Sequence, residues 1–192
     1  AIGAGEVVGL VGESGCGKST LGRIVARILE PSEGERRWMG RPYADYESQG
    51  SRSERLAVQM VFQDPFASLN PRMRIVDVIG EAPVVHGLVA PRERETYVAQ
   101  VMERVGLDAS LARRFPHQFS GGQRSRIGIA RALAVKPRFL VCDEAVAALD
   151  VSIQAQVLNL FIRLREEFGL TYLFISHDLG VVRHLSDRVV IM

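Results

Sequence analysis

The sequence predicts an α/β fold in which a parallel β-sheet is flanked by helices. Short, continuous apolar runs such as residues 7–11 and 139–142 are typical of strands that are buried on both faces of a parallel sheet. Between these runs lie longer segments whose apolar residues recur at three- and four-residue spacing, which indicates amphipathic helices. Strands that alternate with helices in this way predict a doubly wound sheet, in which ligands bind at the carboxyl ends of the strands.

The composition is that of a globular protein with one or two compact domains. The chain has 192 residues, of which 47% are hydrophobic and 24% are charged. Its net charge of +2 gives no electrostatic reason to expect a nucleic-acid partner. The two cysteines, Cys16 and Cys142, are too few for a disulfide framework and indicate a reducing compartment. The chain begins almost on a strand and stops on another, at residues 188–192, so we expect a fragment of a longer protein.

The glycine-rich stretch after the first apolar run carries the strongest local signal. It has the spacing G-x-x-x-x-G-K-S and leads into a helix-compatible segment at residues 21–29, although a plain glycine-rich turn before a helix is the alternative. In such a phosphate-binding loop (P-loop), backbone amides point at phosphate oxygens, and the positive end of the helix dipole faces the same anion. Lys18 would reach the β- and γ-phosphates, and Ser19 would ligate Mg²⁺. The predicted nucleotide contacts of this loop are Gly12, Glu13, Ser14, Gly15, Cys16, Gly17, Lys18, Ser19 and Thr20.

The segment after the first helix is expected to be mostly irregular. Pro and Gly break the helical pattern after residue 30, and residues 38–42 are compatible with a short strand and turn. Residues 45–55 are polar and charged and predict an exposed loop. A strand is expected at residues 57–62, followed by Gln63 and by a stretch at 66–71 that two prolines prevent from continuing a regular element.

Residues 75–107 predict a helical insertion between strands. Apolar residues recur at helical spacing in two parts of this stretch, and Pro91 is well placed to begin the second helix. A helical insertion is the simplest account of such a long stretch between two strand candidates.

A second glycine motif lies at the start of a later helix. Ser120 and Gln123 fit the capping box S-x-x-Q, which satisfies the helix terminus and is a sufficient structural reason for the motif. Gly121 and Gly122 between them would also leave N–H groups exposed, which predicts a second anion-binding site. One small chain rarely needs two such sites for one nucleotide.

Two adjacent carboxylates, Asp143 and Glu144, end the apolar run at residues 139–142. Carboxylates at the end of a buried strand are costly to desolvate, so they need a partner such as a metal ion; an ordinary charged strand end is the alternative. Asp150 is expected to cap the amphipathic helix that follows, and Gly169 to end it.

The last predicted strand of the site, at residues 170–175, ends before His177. A lone histidine at a strand end is more often structural than catalytic. Its position nevertheless places it beside the other polar strand ends, because carboxyl ends of parallel strands share one edge.

These strand ends combine chemistry that suits nucleoside triphosphate hydrolysis. The lysine and the loop amides would hold phosphates, while Ser19 and Asp143 would hold Mg²⁺. Glu144 would orient or deprotonate a water, and His177 would donate to a γ-phosphate oxygen as charge develops there. The residues at the predicted carboxyl edge are Lys18, Gln63, Asp143, Glu144 and His177.

The chain resembles the ATPase subunits of ABC transporters over nearly its whole length. The signature motif carries most of this resemblance, because many P-loop proteins share Walker A and B but lack the signature. Two strings, at residues 61–71 and 149–156, are similar more narrowly to the dipeptide and oligopeptide importer branch, which also includes nickel and glutathione importers. The motifs, in family order, are residues 12–20 (Walker A), Gln63 (Q-loop), 119–123 with Arg124 (signature), 140–144 (Walker B), 148–150 (D-loop) and His177 (switch histidine).

The resemblance implies a P-loop NTPase core with an ABC-type helical subdomain. Residues 1–192 would be a single, incomplete ABC ATPase domain, with a RecA-like catalytic core at 1–71 and 136–192 and a helical subdomain at 72–135. The family pattern implies catalytic roles for Glu144, His177 and Gln63 and Mg²⁺ ligation by Ser19, Gln63 and Asp143. It implies ATP contacts from the P-loop residues and from Ser120, Gly121, Gly122 and Gln123.

The resemblance also implies partners and a location. Two such domains close head to tail, so that each ATP lies between the Walker A loop of one and the signature of the other, and this explains the spare anion site. Closure would drive membrane permease subunits, contacted by the Gln63 region and the helical insertion, and would act indirectly on a solute-binding protein. The subunit would sit peripherally on the cytoplasmic face of the inner membrane, with no nucleic acid as partner.

The chain departs from the family pattern at a few positions. Phe119 stands where Leu is usual, Ser125 where Gln is common, and Ala145 where Pro is usual; Ala147-Ala148 replaces a more typical Ser. The aromatic residue that stacks on adenine lies upstream of Walker A in the family, so we expect weak ATP binding by residues 1–192 alone. Two other functions remain open: a soluble ABC ATPase in DNA repair, chromosome maintenance or translation, and a non-hydrolytic structural subunit.

Overall fold

Five parallel strands form the centre of the molecule. The computed structural model describes residues 1–192 except the side chains of residues 47–49 and 65–66, so expectations about Ser48, Pro65 and Phe66 side chains lie outside the described residues. The strands are β1 (Val7–Val11), β2 (Arg37–Trp38), β3 (Arg41–Pro42), β4 (Val58–Val61), β5 (Phe139–Asp143), β6 (Thr171–Ile175) and β7 (Arg188–Ile191). The central sheet has the order β4-β5-β6-β1-β7, and β2 and β3 form a separate antiparallel pair.

Helices occupy most of the chain between the strands. Short 3₁₀ segments lie at Pro91–Glu93, Ala109–Arg113 and Pro116–Gln118. The α-helices are α1 (Lys18–Val25), α2 (Tyr43–Gln49), α3 (Arg52–Leu56), α4 (Pro65–Ser68), α5 (Ile75–Val85), α6 (Arg94–Arg104), α7 (Gly121–Leu133), α8 (Val151–Phe168) and α9 (Leu179–Leu185). Within the described part of the chain, none of these helices combines the length and the apolar character that crossing a bilayer requires.

The strands send alternate side chains into two apolar layers on opposite faces of the sheet. Leu10, Val141 and Ile175 belong to the layer on the side of α1, where Val25 and Ala26 pack against them. The other layer is larger and includes the apolar stripe of α8 together with buried residues of α9. Burial on both faces explains why β1, β5 and β6 appear in the sequence as continuous apolar runs.

Helices α5, α6 and α7 pack together as an insertion between β4 and β5. Ile79 of α5, Met102 of α6 and Ile127 of α7 are fully buried. They belong to the same apolar cluster as the larger face of the sheet, so the insertion has no separate core. The predicted helical insertion is present, and Pro91 begins the 3₁₀ turn that leads into α6.

The register of the sheet aligns the strand ends that carry the polar residues. Ile175 pairs with Leu10 on one side and with Asp143 on the other. The segments that follow β1, β4, β5 and β6 therefore emerge at one edge of the sheet, as expected for a parallel arrangement.

Local signals at helix termini were predicted correctly. The Ser120 hydroxyl accepts a hydrogen bond from the backbone N–H of Gln123, and the Gln123 side-chain oxygen accepts one from the backbone N–H of Ser120, which completes the capping box of α7. Asp150 caps α8 by accepting from the Ile153 amide, and Gly169 ends α8 in a left-handed conformation.

The loop expected at residues 45–55 is wrong, although most of the described side chains in this stretch are exposed, as expected. This stretch contains most of α2 and α3, and Ser51 with Glu54 forms a capping box at the start of α3. Tyr43, Tyr46 and Leu56 are buried, but the polar residues between them hide the apolar spacing in the sequence. Helix α1 also ends at Val25, earlier than predicted, and α9 was not predicted.

Candidate functional site

The loop after β1 contains two glycines in the left-handed conformation. Gly15 has φ 85° and Gly17, the residue before α1, has φ 104°, a region that side chains other than hydrogen rarely tolerate. Gly12 lies so close to Met192 that an added Cβ would be 2.4 Å from the Met192 carbonyl oxygen. The loop is therefore confined from behind by the end of β7.

The Lys18 side chain folds back and contacts the backbone of its own loop. Its side chain is 5% exposed, and its ammonium donates to the carbonyl oxygens of Gly12 (2.9 Å) and Glu13 (2.7 Å). The Cys16 sulfur lies 3.7 Å from the same nitrogen. A buried ammonium whose hydrogen-bond partners here are two carbonyl oxygens and a sulfur, with no carboxylate among them, is suited to receive an anion, because the anion supplies a countercharge.

Ser19 in α1 and Asp143 at the carboxyl end of β5 are in contact although they are 124 residues apart in the chain. The Ser19 hydroxyl donates to Asp143 Oδ1 at 2.8 Å. Burial raises the pKa of the Asp143 carboxyl and Glu144 raises it further, against the Ser19 hydrogen bond and the charges of Arg23 and Lys18. The carboxylate is thus held in a place that disfavours its charge, and a bound cation would offset that cost.

This pair fits Mg²⁺ by its donor set. Mg²⁺ is usually held by one or two protein oxygens together with substrate phosphates and waters. Within the described residues, no three His, Cys, Asp or Glu side chains converge into a larger metal site. A hydroxyl and one carboxylate beside a phosphate-binding loop therefore match Mg²⁺ better than they match a metal that needs a full protein cage.

Glu144 lies between Gln63 and His177. Gln63 Nε2 donates to Glu144 Oε2 at 2.8 Å, and His177 Nδ1 lies 3.4 Å from Glu144 Oε1. The Glu144 side chain is 16% exposed and that of His177 59% exposed, so the carboxylate is the inner member of the group. Glu144 has φ 46°, which is uncommon for a residue with a side chain.

These groups surround one cleft of about 540 Å³. The cleft is large enough for the phosphates of a nucleotide, and most of the predicted catalytic and phosphate-binding residues line it. Four predicted site residues of these segments do not line the cleft themselves: Gly12, Glu13, Cys16 and Asp143. The lining residues are Ser14, Gly15, Gly17, Lys18, Ser19, Thr20, Gln63, Glu144 and His177.

The Ser120–Gln123 motif is not part of this cleft. It begins α7, where Ser120 and Gly121 are exposed, and Gly122 packs against the start of α8. An added Cβ on Gly122 would lie 2.4 Å from Ile153 Cγ2, so glycine is required there by close packing. The structure therefore brings Gln63, Asp143, Glu144 and His177 to the P-loop, whereas the motif predicted to be a second anion site lies outside the cleft.

Two contacts of the site were not predicted from the sequence. Met192 supports the loop from behind, and no local pattern signals a contact between residues 12 and 192. The Ser125 hydroxyl, which is buried in α7, donates to the Ala145 carbonyl oxygen at 3.3 Å. A buried serine in an otherwise apolar helix face was the available signal for this contact.

Comparisons with known proteins agree on one family. A family model described as ABC transporter matches residues 1–147. The chain is 56% identical over 189 residues to the oligopeptide transport ATP-binding protein AppF of Bacillus subtilis, covering 98% of this chain and 57% of AppF. It is 49% identical over 188 residues to the dipeptide transport ATP-binding protein DppF of Haemophilus influenzae, covering 98% of this chain and 58% of DppF.

Solved structures agree with the fold. A dimeric ATP-binding cassette in a post-hydrolysis state, bound to ADP and Pi, superimposes with a TM-score of 0.86 at 29% identity, covering all of this chain and 83% of that one. CbiO1 from Clostridium perfringens, part of the transporter complex cbiONQ, has a TM-score of 0.84 at 31% identity and is covered to 74%. The present chain spans about three fifths of the length of the curated relatives, 57% for AppF and 62% for OppF of B. subtilis.

Proposed function

Because the chain belongs to the ABC transporter family, we propose that it is the ATP-binding and ATP-hydrolysing part of an importer subunit that serves peptide uptake. The observation that carries the proposal is the single cleft in which Lys18, Ser19 and Glu144 meet. The peptide substrate rests on the relatives, which are named as oligopeptide and dipeptide transport ATP-binding proteins.

Substrate binding is assigned to the P-loop and its lysine. The loop amides and the start of α1 would hold the β- and γ-phosphates, and Lys18 would exchange its carbonyl partners for phosphate oxygens. Ser19 and Asp143 would hold Mg²⁺, with Gln63 as a further ligand. When held by these residues, Mg²⁺ would supply positive charge that offsets the charge developing on the phosphates.

The hydrolytic step is assigned to Glu144 and its two neighbours. Glu144 would accept a proton from the attacking water, or orient that water, at the γ-phosphate. The Gln63 amide and His177, which contact the two Glu144 oxygens, would keep the carboxylate in place, and His177 would donate to a γ-phosphate oxygen. A general base of this type contributes typically about 10²- to 10⁴-fold to the rate.

The second half of the site would come from another subunit. Ser120, Gly121, Gly122 and Gln123 present a capped helix terminus that lies outside the cleft of their own chain. In a head-to-tail dimer this terminus would face the γ-phosphate of the partner's ATP. Dimeric cassettes of similar fold are consistent with this arrangement.

The chain divides into a catalytic core and a helical insertion with different proposed roles. We assign residues 1–71 and 136–192 to a RecA-like catalytic core and residues 72–135 to a helical subdomain. The Gln63 region and the subdomain would contact membrane permease subunits, so the protein would work peripherally at the cytoplasmic face of the inner membrane. A solute-binding protein would act on it only through the permease.

Two substitutions in the full-length protein test the proposal. Lys18→Ala should abolish ATP binding in calorimetry, because it removes the buried positive charge of the loop. Glu144→Gln should leave ATP binding unchanged and lower turnover by roughly 10²- to 10⁴-fold, because the amide cannot accept the proton. Full ATP affinity in the lysine variant, or wild-type turnover in the glutamine variant, would contradict the assignment.

A further inference from the structure

The orientation of Glu144 depends on a short turn between β5 and α8. The Glu144 amide donates to the Ile175 carbonyl at 3.0 Å, and its carbonyl accepts from the Ala147 amide at 3.0 Å. Glu144 itself is in the left-handed region, at φ 46°. The backbone conformation of the turn sets the direction in which the Glu144 side chain leaves it. The residues that hold this turn in place therefore determine where the carboxylate lies.

The residue that follows Glu144 is held by a hydroxyl from another element. Ala145 is 3% exposed, and its carbonyl oxygen accepts a hydrogen bond of 3.3 Å from Ser125 Oγ. Among the residues whose side chains are described, Ser125 is the one donor that reaches this carbonyl. Without the hydroxyl, a buried acceptor beside Glu144 would have no partner.

The Ser125 side chain is buried and does not lie in the cleft. It is 1% exposed and lies on α7, whose next turns include the fully buried Ile127 and Ile129. It does not line the cleft, and its hydroxyl therefore does not touch a nucleotide there. A buried polar group in an apolar helix face is retained at a cost, which its one hydrogen bond offsets.

We propose that Ser125 is a positioning residue for Glu144: its hydroxyl holds the Ala145 carbonyl and thereby fixes the turn that aims the catalytic carboxylate into the cleft. The inference deepens the proposed function and rests on it. Because α7 begins with the Ser120–Gln123 motif, the same hydrogen bond makes the aim of Glu144 depend on the placement of that helix terminus.

The test is a set of variants in the full-length protein. Ser125→Ala should lower kcat for ATP hydrolysis by about tenfold, since small displacements of a catalytic group cost one to two orders of magnitude. KM for ATP should stay within about twofold, because the substitution is outside the cleft. Ser125→Thr keeps the hydroxyl and should restore most of kcat. Thr171→Val is the matched control: it removes another buried hydroxyl, one that accepts from the Gly5 amide at the opposite end of β6.

A double-mutant cycle separates positioning from general structural support. In the Glu144→Gln background, Ser125→Ala should cause no further loss, because the group it positions is already gone. A full additional loss in that background, an equal loss in Thr171→Val, or wild-type kcat in Ser125→Ala would overturn the positioning role. If Ser125→Ala unfolds, as judged by its thermal transition, the near-isosteric Ser125→Cys replaces it with the same expectations.

The outcomes distinguish this inference from the proposed function. A Glu144→Gln variant that loses turnover beside a Ser125→Ala variant that keeps it leaves the proposed function standing and removes the positioning role. A wild-type protein without ATP turnover overturns both.

Discussion

Individual residues of the site hold charge in surroundings that oppose it. Asp143 is 3% exposed, and its pKa is raised mainly by burial and then by repulsion from Glu144. Lys18 is 5% exposed and donates to two carbonyl oxygens of its own loop. The ionised Asp143 carboxylate reduces the stability of the free protein, and a bound cation would relieve that cost, because ligands that bind only the folded state stabilise it.

Asp143→Asn should therefore raise the melting temperature of the nucleotide-free protein at neutral pH. A carboxyl whose pKa is raised on folding destabilises the folded state when it is ionised, and this penalty disappears as the pH falls through the folded pKa towards the unfolded one. The gain of the Asn variant should accordingly shrink on acidification. Thermal unfolding from pH 8 to pH 4 checks this, and a constant difference across the range would contradict it.

The same substitution should weaken Mg²⁺-dependent ATP binding, because it removes the one carboxylate of the pair. Ser19→Ala is the matched variant: it removes the other proposed oxygen ligand without changing the charge at Asp143. In Asp143→Asn the melting temperature should rise while the Mg²⁺-dependent affinity for ATP falls. In Ser19→Ala the two quantities should not change in opposite directions.

The residue types of the site could be predicted from the sequence, but their resting contacts could not. The spacing of Lys18 and Ser19 after a strand candidate has one well-understood mechanical reason, so the loop could be recognised locally. That Lys18 turns back onto its own loop, or that Met192 lies behind Gly12, depends on packing between distant parts of the chain. No local pattern encodes such contacts.

At the scale of elements, α7 and α8 approach each other closely through Gly122. An added methyl at this position would meet a branched side chain, Ile153, at 2.4 Å, and a β-branched residue in a helix has little freedom to move aside. Helix α7 begins at its cap Ser120 and helix α8 at its cap Asp150. The packing of the two helices therefore sets where the two N-termini lie relative to each other.

Gly122→Ala should lower the free energy of unfolding by roughly 1–3 kcal/mol, the usual cost of overpacking. Gly128→Ala on the same helix is the control, because within the described residues nothing lies within 4 Å of its added Cβ. That control should be neutral or stabilising by up to about 1 kcal/mol through helix propensity. Chemical denaturation measures both, and equal effects in the two variants would refute the packing argument.

The ends of helices could be predicted where a local capping residue marks them. They could not be predicted where the helix is recognisable only from which of its residues are buried. Asp150, Gly169 and the Ser120–Gln123 box marked their helix ends because each acts through hydrogen bonds or dihedrals within a few residues. The composition of residues 45–55 predicts an exposed loop, and the structure has the helices α2 and α3 there instead. Their buried residues, Tyr43, Tyr46 and Leu56, are too widely separated by polar residues to give a helical pattern in the sequence.

At the scale of the whole molecule, the alternation of strands and helices predicted the class of fold and the edge that carries the cleft. The order of strands was not predictable in the same way, because pairing between β1 and β6 joins residues about 165 positions apart. The separation of the Ser120–Gln123 motif from the cleft is likewise a property of the complete fold. It gives the proposed dimer its testable geometry.

Ser120→Asp should abolish ATP-dependent dimerisation without altering ATP binding by the single subunit. Aspartate caps a helix as well as serine does, so α7 should keep its stability, but its charge would face the partner's phosphates. Ser120→Asn caps equally well without the charge and should still dimerise. Light scattering of full-length protein in the Glu144→Gln background checks this, and dimers of the aspartate variant at wild-type strength would exclude the head-to-tail arrangement.

The position of β1 in the sheet has a consequence for biosynthesis. β1 pairs with β6 and β7, whose residues are translated well over 100 positions after it, as the pairs Val7–Tyr172 and Val8–Arg188 show. The phosphate loop therefore stays without its neighbouring strands while about 160 residues emerge from the ribosome. Such distant pairing slows folding and leaves apolar strands open to misassembly in the meantime. Nucleotide can assist only after these strands have paired, so ATP should stabilise the folded domain but not accelerate the pairing.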